Sequence, residues 1–106
     1  MIKKILEKSG FVYGATYKET RFLKPPQSTY AVYFDSYGRK GSDCKNLIKE
    51  HECSIELYSE KPDVNAETRI ESAFDLFGIE YEKSARSWIQ DEQIYQVVYY
   101  FEYVEK

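Results

Sequence analysis

Apolar positions in this chain follow two rhythms, one near 3.6 residues and one of two residues. Ile2, Ile5 and Leu6 are spaced for one helical face, with Gly10 as a C-terminal stop. A helix this short must be pinned by packing. Residues 11–13 read as a short strand. Residues 14–28, rich in Thr, Lys and Gly and carrying Pro25 and Pro26, read as a long irregular connection. Residues 29–35 are β-branched and aromatic and follow the prolines, which predicts a strand. Residues 36–46 contain Gly38, Gly41 and four charges. They predict a loop too long for a tight hairpin, and hence a candidate functional loop.

From residue 47 to 59, His51, Cys53, Ile55 and Leu57 alternate with Glu50, Glu52, Ser54 and Glu56, the pattern of a half-buried strand. Pro62 breaks it. Ala66, Ile70, Ala73, Phe74 and Phe77 then mark an amphipathic helix stopped by Gly78. Residues 79–89 read as a further strand, 90–92 as a turn and 93–104 as the last strand. The order α-β-β-β-α-β-β predicts an α+β fold. A mostly antiparallel sheet of four to five strands carries two helices packed on it, within one domain spanning 1–106.

The last strand is the least ordinary element. One face carries Tyr95, Val97, Tyr99, Phe101 and Tyr103; the other carries Ile94, Gln96, Val98, Tyr100, Glu102 and Val104. A strand with one core and one wet side should be polar on the wet side. A chain of this size buries roughly two-thirds of its unfolded surface, enough for a single core. The second apolar face therefore predicts a partner, and the expected contacts are Tyr95, Tyr99, Phe101 and Tyr103.

Composition adds little about fold but something about setting. Charged residues make up 31%, and Pro and Gly are sparse, which argues against disorder. Cys44 and Cys53 do not make a disulfide framework and suit a reducing compartment. The N-terminus lacks the apolar run of a signal peptide, and no stretch reaches membrane-spanning length. A soluble protein inside the cell that makes it is expected.

The net charge of −3 hides a split. Residues 1–49 carry ten Lys/Arg against four Asp/Glu, and residues 50–82 carry two against ten. If these blocks segregate on the surface, head-to-tail association of copies is favoured; the alternative is that folding intermixes them. Glu67, Glu71 and Asp75 recur at helical spacing. They are either a solvated face or a stripe meeting Lys18, Arg21 and Lys24 of a neighbour, or they line a channel along which DNA slides.

Three constellations bear on chemistry. Cys44, His51 and Cys53 are zinc-type ligands but match no paired-cysteine spacing, and the plainer reading is a half-buried Cys beside a His. His51 and Cys53 stand about 7 Å apart along a strand, which works against a Cys–His nucleophile. Gly38-Arg39-Lys40-Gly41 matches the G-x-x-G grip of one RNA-binding module, whereas the acidic net charge counts against nucleic acid as ligand. No phosphate loop, dinucleotide fingerprint or nucleophile elbow is present. No cofactor and no enzymatic activity are expected.

Four stretches taken together carry a family resemblance: Tyr30-Ala-Val-Tyr33, Ser54-Ile-Glu-Leu-Tyr-Ser-Glu-Lys-Pro-Asp63, Phe77-Gly-Ile-Glu-Tyr-Glu-Lys83 and Gln93-Ile-Tyr-Gln-Val-Val-Tyr-Tyr-Phe-Glu102. In this order they resemble the small tail terminator, or tail completion, proteins of long-tailed bacteriophages and prophages of Gram-positive bacteria. Residues 1–28 and Ser84-Ala-Arg-Ser-Trp88 match least. The resemblance implies a non-enzymatic α+β virion protein forming a ring, typically hexameric, that caps the tail tube and faces the head. Its partners would be copies of itself, the tail tube protein and a head-completion protein, with DNA only as passing cargo. Assembly would take place in the bacterial cytoplasm before incorporation in the virion. Arg39, Lys40, Asp43 and Lys45 would then reach the tube or line its lumen. A head-completion or stopper subunit of the same joint, and a small RNA-binding module using the Gly38–Gly41 loop, are the alternatives.

Overall fold

Ile2, Ile5 and Leu6 do form one buried helical face, on α1 (Ile2–Lys8). In the computed structural model, which describes residues 1–40 and 48–105, the following elements are β1 (Tyr17–Glu19), β2 (Tyr30–Lys40) and β3 (Ile48–Ser59). After them come α2 (Val64–Phe77), β4 (Tyr81–Lys83), β5 (Ser87–Ile89) and β6 (Ile94–Glu105). The α+β architecture with a mostly antiparallel sheet holds. Its strand order is β1-β2-β3-β6-β4, with β5 also paired to β6; among the described strands only β1 runs parallel to its neighbour, β2.

Three local readings need correction. Residues 11–13 form no strand; Tyr13 makes an isolated bridge to Tyr17, and the first strand is β1, inside the stretch that reads as irregular. Three residues are too few to show alternation, and β1 exists because Tyr17 pairs with Ala31 and is fully buried. The stretch 79–89 divides into β4 and β5, both antiparallel to β6. Between them the Val98 amide donates to the Ser84 hydroxyl at 2.9 Å, so a side chain meets a ladder donor where the strand breaks. Finally, β2 runs on to Lys40, opposite Ile48, whereas the sequence pattern predicts a loop from residue 36. Gly38 reads as a breaker, yet the ladder engages its backbone and needs no side chain there.

The ends of α2 follow the local chemistry closely. Asp63 accepts a hydrogen bond from the Ala66 amide at 3.0 Å and another from the Thr29 hydroxyl at 2.6 Å, capping the N-terminus. At the other end Gly78 takes the left-handed conformation (φ 67°). Its amide bonds the Asp75 carbonyl while that of Ile79 bonds the Phe74 carbonyl, the paired bonds of a Schellman stop. Ile79 then packs back on the core.

Ile70, Ala73 and Phe74 of α2 and Ile5 and Leu6 of α1 pack on one sheet face, formed by Ala31, Tyr33, Cys53, Ile55, Leu57, Val97, Tyr99 and Phe101. Phe74 lies at its centre, 5.0 Å from Phe101 and 4.6 Å from Tyr81 between ring centroids. α1 is pinned at its C-terminal end: Tyr17 donates to Glu7 at 2.8 Å, and Arg69 of α2 donates to the Ser9 carbonyl at 2.9 Å. The radius of gyration, 14.9 Å, exceeds the roughly 13 Å usual for a compact chain of this length. The excess follows from the long β2–β3–β6 ladder, which continues to the Lys40–Ile48 and Lys49–Glu105 pairs.

Candidate interaction surface

The period of two in β6 puts Val97, Tyr99 and Phe101 on the helix-covered face, where all three are buried. The expectation that Tyr99 and Phe101 contact another subunit is therefore corrected: the protomer's own α2 covers them. Tyr103 is partly buried and stacks on His51, and Tyr95 is half-buried against Trp88 at 4.8 Å. Alternation shows that both faces of β6 are apolar. Which face the helices take is a tertiary decision.

Among the described residues no helix covers the other face, and no residue of the core cluster comes from it. The register sets it out in rows. Tyr30, Tyr58 and Gln96 form one, Val32, Glu56 and Val98 the next, then Phe34, Ser54, Tyr100 and Glu82, and then Ser36, Glu52 and Glu102. Val32 and Val98 are buried, but Tyr100 is 51% exposed, Val104 53% and Phe34 38%. Around these stand Glu50, Glu52, Glu56, Glu82 and Glu102, so the open face is apolar and acidic together. Its lower end is braced by the stack of Tyr30 on Tyr58 (5.2 Å), by a Gln96 amide donating to the Tyr58 hydroxyl, and by that hydroxyl donating to Glu56. Burial, with Glu56 adding, pushes the Tyr58 phenol upward, so it stays a neutral donor.

The acids of α2 are a different matter. Glu67 is buried and accepts from Lys83 Nζ at 2.8 Å and from Arg86 Nε at 2.7 Å. Glu71 accepts from the same Lys83 and from the Tyr99 hydroxyl, each close to 2.8 Å. Burial acts to raise the Glu67 carboxyl, but the hydrogen bonds from Arg86 and Lys83 outweigh it and hold the group below its ordinary range. Of the predicted stripe, only Asp75 stands exposed without a hydrogen-bond partner among the described contacts. The stripe is thus mostly an internal clamp fastening β4 and the segment before β5 onto α2. Lys83 and Arg86 were missed by sequence reasoning: a three-residue strand is too short for alternation to flag Lys83, and nothing local marks Arg86.

Lys18 lies on β1, opposite Val32, at the margin of the open sheet face, while Arg21 and Lys24 are exposed in the connection that follows. The three basic residues and the open acidic face thus both reach the surface. Arg39 and Lys40 belong to the β2 ladder, as does Gly38, so three of the four residues of the G-x-x-G match are strand. Asp43, Lys45 and Cys44 lie outside the described residues.

His51 and Cys53 do not meet directly. Asp35, which pairs with Cys53 across the ladder, stands between them: His51 Nδ1 is 2.7 Å from Asp35 Oδ1, and Cys53 Sγ is 3.5 Å from the same oxygen. Burial pushes the Cys53 thiol up to about 12, with Asp35 adding to the effect. A neutral, buried thiol is a poor nucleophile.

No protein-family model matches this sequence, and no curated protein matches it either. Among solved structures, a chain of the virion of a native gene transfer agent particle is similar, with a TM-score of 0.59 and 12% identity, over 92% of this chain and 81% of that one. At that identity the likeness is one of fold.

Proposed function

We propose that this chain is a non-enzymatic virion subunit that assembles with copies of itself into a ring, ending a phage tail tube and joining it to the head. The observation that carries this reading is the open sheet face, where Phe34, Tyr100 and Val104 lie exposed beside Glu52, Glu82 and Glu102. Large exposed apolar side chains grouped on one face mark an interaction surface. The fold likeness to a chain of a gene transfer agent virion supports a particle component, and the family resemblance of the sequence supports the tail terminator role. The inter-subunit contact falls on the open face and not on the α2 stripe, whose Glu67 and Glu71 are engaged internally. Lys18, Arg21 and Lys24 of the next copy supply the opposite charge, and a heterologous contact of this kind gives a ring when the rotation between copies closes. A hexamer is the expected count. The ends of β2 and β3, with Arg39 and Lys40, lead toward the tube and lumen. The tail tube protein and the head-completion protein are the other partners, and DNA only passes through. Assembly proceeds in the bacterial cytoplasm.

Electron microscopy of the purified protein mixed with tail tubes tests this. A cap at one tube end, lost on Tyr100→Lys while the circular dichroism spectrum is kept, is the expected result. Uncapped tubes with the unaltered protein would sink the terminator role, and binding to head connectors alone would assign the chain to the stopper position.

A further inference from the structure

We propose that Asp35, His51 and Cys53 form a binding site for a zinc-class divalent transition metal, fastening β2 to β3 on the sheet face that carries the core. The backbone brings them together without any special loop. Asp35 and Cys53 are ladder partners, and His51 precedes Cys53 by two residues and so shares its face. One potential ligand atom from each residue lies within 4.8 Å of the other two. Ligands around a tetrahedral zinc ion, bound at 2.0–2.3 Å, stand roughly 3.3–3.8 Å apart, so adjustments of about an ångström complete the set.

The donor chemistry narrows the ion. One thiolate, one imidazole and one carboxylate suit zinc or cobalt, whereas magnesium and calcium take oxygen ligands almost exclusively. His51 and Cys53 are buried and Asp35 is half-buried, so the group is sheltered from bulk water on most sides. The Tyr103 ring lies flat on His51, with centroids 4.3 Å apart and planes 7° apart, which holds the imidazole in place. Cys53 and Tyr103 also line an open cleft of about 970 Å³ between β6 and the α2–β4 turn, giving an ion a way in and room for water as fourth ligand. On binding, the Cys53 thiol proton leaves to solvent, and Asp35 exchanges its contacts with His51 and Cys53 for the metal.

Cobalt(II) titration of metal-free full-length protein is the direct test. The expected result is a thiolate-to-cobalt charge-transfer band, with the visible bands of a tetrahedral site, saturating at one equivalent and removed by added zinc. Cys53→Ser abolishes the charge-transfer band and Asp35→Asn weakens binding at least tenfold, while Cys44→Ser leaves both unchanged. Zinc raises the unfolding midpoint of the unaltered protein in a concentration-dependent way but not that of Cys53→Ser. Absence of the band in the unaltered protein overturns the proposal, as does a band that survives Cys53→Ser. The near-isosteric serine keeps the test readable should His51→Ala fail to fold.

Discussion

Replacing Glu67 by glutamine isolates the charge of a buried carboxylate at nearly constant shape. The side chain is 4% exposed, whereas its partners Lys83 and Arg86 are 35% and 40% exposed. Cutting one member of a fully buried pair costs about 3–5 kcal/mol because the other charge is stranded. Here both cations regain water by small rotations, so the loss is nearer that of one charge-assisted hydrogen bond, about 2 kcal/mol. Urea unfolding followed by the fluorescence of Trp88, the sole tryptophan, on β5 beside the clamp, gives the value. The pH dependence separates charge from packing. Because the folded carboxyl titrates below its ordinary range, its contribution is complete above the unfolded value near 4.3 and fades as pH falls through the lower folded value. The stability difference between the unaltered protein and the Glu67→Gln variant therefore shrinks as pH falls from 7 to about 3. A gap below about 0.5 kcal/mol at pH 7, or one that stays constant down to about pH 3, would refute the assignment of Glu67 as an ionic clamp.

Other outcomes follow from the same contacts. Tyr99→Phe removes the buried hydroxyl that donates to Glu71 and should cost about 1 kcal/mol in the same urea assay. Phe74→Ala, at the centre of the core, should cost about 3–5 kcal/mol, whereas Tyr100→Lys on the open face should change stability by no more than about 0.5 kcal/mol; thermal melts of the pair distinguish inner from outer face. Asp63→Ala removes the α2 cap at a cost of about 1 kcal/mol, read by helix circular dichroism on heating. In the metal-free Cys44→Ser protein, Cys53, with its thiol pushed to about 12, should react with iodoacetamide at neutral pH only once denaturant is added. Prompt alkylation of the folded protein would contradict its burial.

Much of this fold could be read along the chain because the signals are local. The 3.6-residue spacing of Ala66, Ile70, Ala73 and Phe74 and the glycine at 78 each act within a turn or two of backbone, and they mark the body and the end of α2. The strict alternation from His51 to Leu57 does the same for β3, and the double apolar character of β6 is equally a matter of near neighbours. Contacts distant in sequence were not legible. Nothing near Tyr17 announces its pairing with Ala31, nothing near Arg86 announces Glu67, and Asp35 joined His51 and Cys53 only through strand register. Nor could alternation say which side of β6 would be covered. That choice falls to the helices: once α2 lays Phe74 against Tyr99 and Phe101, the opposite side bearing Tyr100 and Val104 is the one left to water. Periodicity is a property of neighbouring residues, whereas the side of a sheet that becomes core is decided by segments brought together from far along the chain.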